Sequence, residues 1–208
     1  RKAKLMGASM VKLLVYYHPD APTAHEIEKF VRSVSDECKR YDLCLMLEPL
    51  TYSLNPDQKK LLSDDKRYAV VETARKLSPL GVDLLKIEFP LDPNDSNENE
   101  WSGACEDVSA ASAVPWILLS AAVDFETYLH QVAAACNSGA SGIAVGRAVW
   151  KEAVTLVSDV RSEFLRTIAR QRLSKLYSLC EELGKPLQSY YPSIGSSLQE
   201  DWYVHYDR

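Results

Sequence analysis

The sequence predicts an α/β fold built on a parallel sheet, and three observations favour a (β/α)8 barrel. Short apolar runs alternate with longer amphipathic stretches five times along the 208 residues, which is the pattern of successive βα units. The repeat is nearly even, with spacings of 36, 38 and 34 residues between one polar residue in or at the end of each of the first four runs: Lys12, Glu48, Lys86 and Ser120. No glycine-rich GxGxxG loop follows any run, which argues against a dinucleotide-binding sheet.

The five expected strands are apolar runs of six to ten residues. Runs as apolar as ILLSAAV are typical of strands that are covered on both faces. Because five units do not close a barrel, we expect them to be roughly strands four to eight, with the N-terminal part of the barrel missing from this chain. The runs cover residues 11–17, 43–52, 82–90, 116–123 and 142–147.

Helices are expected between these runs, and two of them have N-terminal signals. Thr23 and Glu26 lie three residues apart before periodic apolar positions, which is the pattern of a capping box. Asp124 is the expected N-cap of the following helix. The polar stretch DPNDSNENEW is expected to be a solvated loop. The remaining helices are expected before Pro79 and Gly81, near residues 106–113 and over much of 148–183.

The composition indicates an ordinary globular protein. The chain has 24 Lys and Arg against 29 Asp and Glu, a net charge of −5, and 46% hydrophobic residues. This acidic balance argues against a nucleic-acid binder, and no apolar run reaches the roughly 18 residues that a membrane span needs. The five cysteines show no CxxC spacing, so we expect reduced thiols in a cytoplasmic protein. We expect one barrel domain over residues 1–183 and an irregular tail over 184–208.

Three consecutive expected strands each contain a charged residue within an apolar run: Lys12, Glu48 and Lys86. Any one of them alone would be read as a solvated rim residue or half of a salt bridge. Burial of a charge is costly unless it is paired, and neighbouring strands would allow the three side chains to meet. Burial and a second ammonium both favour a neutral lysine amine, which is a nucleophile that forms a Schiff base with a carbonyl carbon. Glu48 is then the candidate proton shuttle.

Further candidate residues follow the same strands. Glu88 shares the face of Lys86 by strand periodicity and is expected to support it. The last two expected strands end at Ser120 and at Gly146–Arg147. Barrels frequently bind phosphate after their seventh and eighth strands, and these residues offer a hydroxyl, close backbone approach and a guanidinium. We therefore expect a phosphate site there, although a surface arginine is the simpler interpretation of Arg147 alone.

The runs, taken in order, resemble a known family. GASMVKLLVYY, LMLEPLTY, VDLLKIEFP, ILLSAAV and AVGRAVW are similar to the strands of the tagatose 1,6-bisphosphate aldolases, which belong with the class I aldolases of the deoxyribose-phosphate aldolase type. The similarity covers roughly residues 7–150. The resemblance implies a (β/α)8 barrel that cleaves a ketose bisphosphate, without a metal or other cofactor, to dihydroxyacetone phosphate and glyceraldehyde 3-phosphate.

The resemblance also implies roles for the candidate residues. Lys86 on the sixth strand would form the Schiff base, Glu48 on the fifth would transfer protons, and Lys12 on the fourth would be the second active-site lysine. Ser120 and the Gly146–Arg147 turn would bind a substrate phosphate. The expected partner is thus a phosphorylated ketose, with no nucleic acid and no membrane; a homo-oligomer is left open.

Two departures from the family leave the substrate open. The seventh strand of relatives often ends Ser-Ala-Gly, whereas this chain has Ala122 at the third position, and the tail EDWYVHYDR has no recognised counterpart. A sulfofructose-phosphate aldolase with the same catalytic set is therefore an alternative. A second alternative is a non-catalytic barrel remnant that binds phosphorylated sugars or a partner. Because an incomplete barrel has open sheet edges, we expect this chain by itself to be inactive.

Overall fold

The five apolar runs form a parallel sheet whose strands follow their order in the chain. The computed structural model describes residues 1–58, 60–94, 96–121, 123–191 and 204. Strands in sequential order with helical crossovers form five consecutive units of a (β/α)8 barrel, so the expected fold class is confirmed. Within the described residues the strands are β1 (Met10–Tyr16), β2 (Cys44–Leu50), β3 (Leu84–Ile87), β4 (Trp116–Leu119) and β5 (Ile143–Ala144).

Helices connect these strands and follow the last of them. A π-helical segment, Leu165–Ala169, joins the last two helices, and none of the helices among the described residues is long and apolar enough to span a membrane. The α-helices are α1 (Lys2–Leu5), α2 (Ala24–Arg40), α3 (Ser63–Leu77), α4 (Glu98–Ala111), α5 (Phe125–Asn137), α6 (Arg147–Trp150), α7 (Ser158–Phe164) and α8 (Arg170–Leu183). Short 3₁₀ helices lie at Ser78–Leu80, Lys151–Val154 and Leu187–Ser189.

The N-terminal signals of two helices differ from the expectation. The predicted capping box at Thr23 is wrong: α2 begins after Thr23, but its side chain caps no backbone N–H, because its backbone is helical (φ −87°, ψ −2°) rather than extended. Helix α4 begins at Glu98, inside the expected polar loop and not near residue 106. Its N-cap is Asn97, whose side-chain oxygen accepts a hydrogen bond from the Asn99 N–H at 3.0 Å. Asn97 of the polar stretch therefore caps a helix that begins inside this stretch.

Asp124 is the N-cap of α5, as expected, and its substitution has a measurable cost. Its carboxylate accepts hydrogen bonds from the Thr127 N–H at 3.0 Å and from the Thr127 hydroxyl at 2.6 Å. We expect Asp124→Ala to lower the free energy of unfolding by about 1 kcal/mol, because a helix N–H loses its acceptor. Urea unfolding measures this change, with Lys175→Ala on the exposed side of α8 as the control. Equal stability of Asp124→Ala and the wild type would show that this cap is not needed.

Alternation along the strands separates the hydrophobic core from the functional face. In the three central strands, side chains of one parity face the helices and are almost fully buried, whereas Glu48 and Lys86 belong to the opposite face. Tyr16 and Tyr17 show the same alternation, since Tyr17 is buried and Tyr16 is 64% exposed. The buried helix-facing residues of the three central strands include Leu45, Leu47, Leu85, Ile87, Trp116 and Leu118.

The segment after α8 is only partly described. Residues 184–191 include the last 3₁₀ helix, and the Tyr191 hydroxyl donates a hydrogen bond to the Asp83 carbonyl at 2.6 Å. The rest of the expected irregular tail, 192–203 and 205–208, lies outside the described residues. The domain boundary after residue 183 stays a prediction. All five cysteines have free thiols.

Candidate active site

The register of the sheet brings Glu48 between two lysines. Met46 of β2 pairs with Leu84 of β3, so Glu48 and Lys86, each two residues further on, lie side by side on one face. Lys86 Nζ donates a hydrogen bond to Glu48 Oε1 at 2.9 Å. Lys12 Nζ from β1 lies 2.9 Å from Glu48 Oε2, as an ion pair without the angles of a hydrogen bond. One carboxylate thus bridges two ammonium groups.

Two opposing effects determine the charge of Glu48. Burial by itself raises its pKa, but the contacts with Lys86 and Lys12 and their positive charges outweigh burial, so the pKa of Glu48 lies below its ordinary value. Glu48 is therefore a carboxylate at neutral pH. It can accept a proton, and it holds the two lysine amines in place.

The lowered pKa of Glu48 makes this cluster sensitive to acid. A carboxyl whose pKa is lower in the folded than in the unfolded state stabilises the fold above its unfolded pKa of about 4.3, and this stabilisation is lost as the pH falls through the folded pKa. We expect Glu48→Gln to have a lower melting temperature than the wild type near neutral pH, and the difference to narrow between about pH 5 and pH 3. Thermal unfolding of both proteins across this range measures it. A difference that stays constant with pH would contradict this electrostatic account.

The three side chains differ in their exposure. The exposed fractions are 11% for Glu48, 20% for Lys86 and 47% for Lys12. The expectation that Lys12 is buried in its strand is therefore wrong for this chain. Strand β1 lies at one edge of the sheet, and the face of β1 that includes Lys12 is solvent-accessible, with Met10 and Leu14 about 40% exposed.

A cavity of about 630 Å³ lies beside the Lys86–Glu48 pair at the carboxyl ends of the strands. Active sites of (β/α)8 barrels lie at this end. Lys12 is not among the described lining residues and reaches the site through Glu48. The cavity brings together the expected nucleophile, proton shuttle and phosphate ligands, because its lining includes Lys86, Glu48, Glu88, Ser120, Gly146 and Arg147.

The expected phosphate ligands come from the ends of β4 and β5. Ser120 follows β4 directly and is buried. Gly146 precedes α6 and accepts a hydrogen bond from the Val149 N–H through its carbonyl at 2.9 Å, while Arg147, the first residue of α6, is exposed at the rim. A hydroxyl and a guanidinium therefore line one end of the cavity. Ala122, where the sequence departs from the family, lies outside the described residues.

Glu88 connects the ends of two strands through a residue that the sequence analysis did not single out. Its Oε2 accepts hydrogen bonds from the Thr51 N–H at 2.7 Å and from the Thr51 hydroxyl at 2.9 Å. Thr51 directly follows β2 and Glu88 directly follows β3. This link holds the ends of β2 and β3 together two residues beyond Lys86. The only signal for Thr51 in the sequence is its place after a strand.

Several solved structures with a similar fold are aldolases. The chain matches an archaeal fructose-1,6-bisphosphate aldolase, determined with its catalytic lysine covalently bound to the carbinolamine intermediate, with a TM-score of 0.56 and 22% identity over 85% of this chain and 61% of that chain. It also matches fructose-bisphosphate aldolase from Plasmodium falciparum with a TM-score of 0.69 and 13% identity over 88% of this chain and 60% of that one. At these identities the likeness supports the fold.

Sequence comparisons give closer relatives. The chain is 30% identical to tagatose 1,6-diphosphate aldolase of Listeria monocytogenes serotype 4a over 93% of its length and 64% of the relative's. It is 31% identical to the enzyme of the same name from Staphylococcus epidermidis over 85% of its length and 61% of the relative's. The chain thus spans less than two thirds of the length of these relatives. A sequence profile of the DeoC/LacD family aldolases matches residues 1–152. From this match and the fold, the chain belongs to the DeoC/LacD aldolase family.

Proposed function

We propose that the full protein is a class I aldolase that cleaves tagatose 1,6-bisphosphate, or a similar phosphorylated ketose, through a Schiff base on Lys86. The observation that supports this most is the Lys86–Glu48–Lys12 cluster beside a cavity that also includes Ser120 and Arg147. The names of the Listeria and Staphylococcus relatives support the sugar.

The first chemical step needs a neutral amine on Lys86. Glu48 Oε1 is 2.9 Å from Lys86 Nζ and can take the proton that the ammonium loses. The amine then attacks the ketone carbon of the substrate and forms a carbinolamine. Loss of water gives a protonated imine, and the proton on Glu48 can leave with the hydroxyl as that water. Lys12 would keep one positive charge beside Glu48 through this exchange.

The imine then acts as an electron sink for cleavage. A base removes the proton of the hydroxyl on the carbon two positions from the imine carbon. The oxygen of that hydroxyl forms a carbonyl as the bond breaks between its carbon and the carbon next to the imine. The bonding electrons move into the imine and give an enamine, while glyceraldehyde 3-phosphate leaves. Protonation of the enamine carbon and addition of water to the imine release dihydroxyacetone phosphate and regenerate Lys86. The water that is added balances the water that was lost, and Glu48 is the proposed proton carrier.

The phosphate next to the ketone would bind at the ends of β4 and β5. Ser120 and Arg147 can donate hydrogen bonds to its oxygens, and Gly146 leaves room for the backbone to approach them. This anchoring would hold the ketone carbon against Lys86. A sulfonate is similar to a phosphate in geometry and could replace one of the two phosphates. A sulfofructose phosphate is therefore the second candidate substrate.

An aldolase assay with the full protein tests the proposed function. We expect tagatose 1,6-bisphosphate to yield both triose phosphates, measured by a coupled NADH assay, and we expect the rate to be unchanged by a metal chelator, since the proposed steps use a lysine as the electron sink. Loss of activity on chelation would contradict the Schiff-base reaction and favour a metal-dependent one. Absence of cleavage for every phosphorylated ketose tested, together with binding of the same sugars, would favour the non-catalytic alternative.

A further inference from the structure

A second cavity of about 400 Å³ adjoins the first at the same end of the sheet. Glu88 and Ala121 line both cavities. The rest of the second lining comes from the end of β1, from the loops that follow β2, β3 and β4, and from the first turn of α3, which contains Lys66. The two cavities therefore share part of their walls. The polar residues that line the second cavity include Thr51, Tyr52, Lys60, Lys66, Asp92 and Asn94.

Lys66 is a partly buried cation that the proposed chemistry leaves unused. Its Nζ makes a long contact of 3.4 Å with the Leu91 carbonyl. Burial lowers its pKa, and the opposite charges of Glu88 and Asp92 do not offset that effect. Within the described part of the chain, no carboxylate oxygen lies within 4 Å of the ammonium of Lys66 or of Lys60. A bound anion would supply the close partner that Lys66 lacks.

The carboxylates of this cavity already have hydrogen-bond donors. Glu88 accepts two hydrogen bonds from Thr51. Asp92 accepts hydrogen bonds from the Asn94 N–H at 2.9 Å and from the Asn94 side-chain amide at 3.0 Å, which contribute to its lowered pKa. Their charges nevertheless balance those of Lys60 and Lys66. An isolated phosphate ion would therefore bind weakly, whereas a molecule that is also held at Lys86 would not need high affinity at this end.

We propose that this second cavity binds the phosphate remote from the ketone, through Lys66 and, at the rim, the exposed Lys60. This inference rests on the proposed function, and it makes Lys66 a residue that distinguishes ketose bisphosphates from ketose 1-phosphates. The phosphate next to the ketone would lie at Ser120 and Arg147, with Lys86 between the two ends. Lysine is suited to such a site because its compact charge attracts phosphate from several directions.

Steady-state kinetics of Lys66→Met in the full protein test this assignment. The substrates are tagatose 1,6-bisphosphate and the same ketose with the 1-phosphate alone. We expect the kcat/KM for the bisphosphate, divided by that for the 1-phosphate, to fall about 10- to 100-fold in Lys66→Met. This is the range for the loss of one hydrogen bond to a charged group. The loss should be mainly in KM for the bisphosphate. Lys66→Arg should restore part of the ratio, and Lys175→Met, on the exposed side of α8, should leave the ratio unchanged.

The outcomes separate this inference from the proposed function. An unchanged ratio in Lys66→Met, or an equal loss for both substrates, would overturn the role of Lys66 while the aldolase proposal stands. If Lys66→Met does not fold, Lys60→Met gives the same test, because Lys60 is exposed and should lower the ratio by a smaller factor. A wild-type protein that cleaves neither ketose would overturn the proposed function and this inference with it.

Discussion

Replacement of Lys86 with alanine in the full protein is expected to abolish turnover, with kcat falling on the order of 10⁴-fold or more. In the proposed reaction the amine of Lys86 bonds to the substrate, so none of the later steps can proceed without it. Its place beside Glu48, with 20% of the side chain exposed, suits a nucleophile that must exchange protons and still meet a substrate. The coupled assay for triose phosphate measures the loss.

Matched variants separate this chemical effect from a general loss of structure. Lys175→Ala removes an exposed lysine of α8 and is expected to keep wild-type activity. The melting temperature of Lys86→Ala should remain close to that of the wild type, because Glu48 retains Lys12 as a partner. Retention of more than about a tenth of wild-type kcat in folded Lys86→Ala would be incompatible with a covalent role, given the losses that removal of a nucleophile causes.

Glu48→Gln is expected to lower kcat by about 10² to 10⁴-fold, which is the usual contribution of a positioned acid or base. Glutamine has nearly the same shape but cannot take the proton of Lys86 or pass it on. The ion pairs to Lys86 and Lys12 are lost together, since both end on this carboxylate. Single-turnover and steady-state assays measure the effect. Glu48→Asp, which keeps the charge on a shorter side chain, should recover part of the activity.

Reduction with borohydride tells which step Glu48→Gln impairs. We expect this variant still to form a covalent adduct with substrate, more slowly than the wild type, since Lys86 remains. Wild-type activity in Glu48→Gln would rule out Glu48 as the proton carrier. A normal rate of adduct formation with slow cleavage would restrict its role to the later steps.

The fold could be predicted from the sequence because its signals are local. Alternating apolar and amphipathic stretches follow from strands packed under helices, and each of the five runs overlaps one strand. Strand β1 is as long as its run, and the other four strands are shorter than theirs. Glu88, Ser120 and Gly146 lie just past strand ends and line the cavity. The start of α4 was missed because Asn97 reads equally well as a loop residue and as an N-cap.

The contact between the three charged side chains was also predictable, but the surroundings of this cluster were not. Lys12, Glu48 and Lys86 were recognised because a charge inside an apolar run is unusual, and the sheet register brings them into contact. The exposure of Lys12 depends on which strand lies at the edge, which no local pattern encodes. Lys66 lies in the first turns of a polar helix among other charges. Only the tertiary structure shows that it lines a cavity.

The most direct test of Schiff-base formation on Lys86 is the position of the covalent adduct. The full protein is incubated with dihydroxyacetone phosphate, reduced with borohydride, digested and analysed by tandem mass spectrometry. We expect a reduced adduct on the peptide that contains Lys86, localised to that lysine, with none on Lys12 and none in Lys86→Ala. An adduct on Lys12, or a protein that remains unmodified while it cleaves substrate, would contradict Schiff-base formation on Lys86.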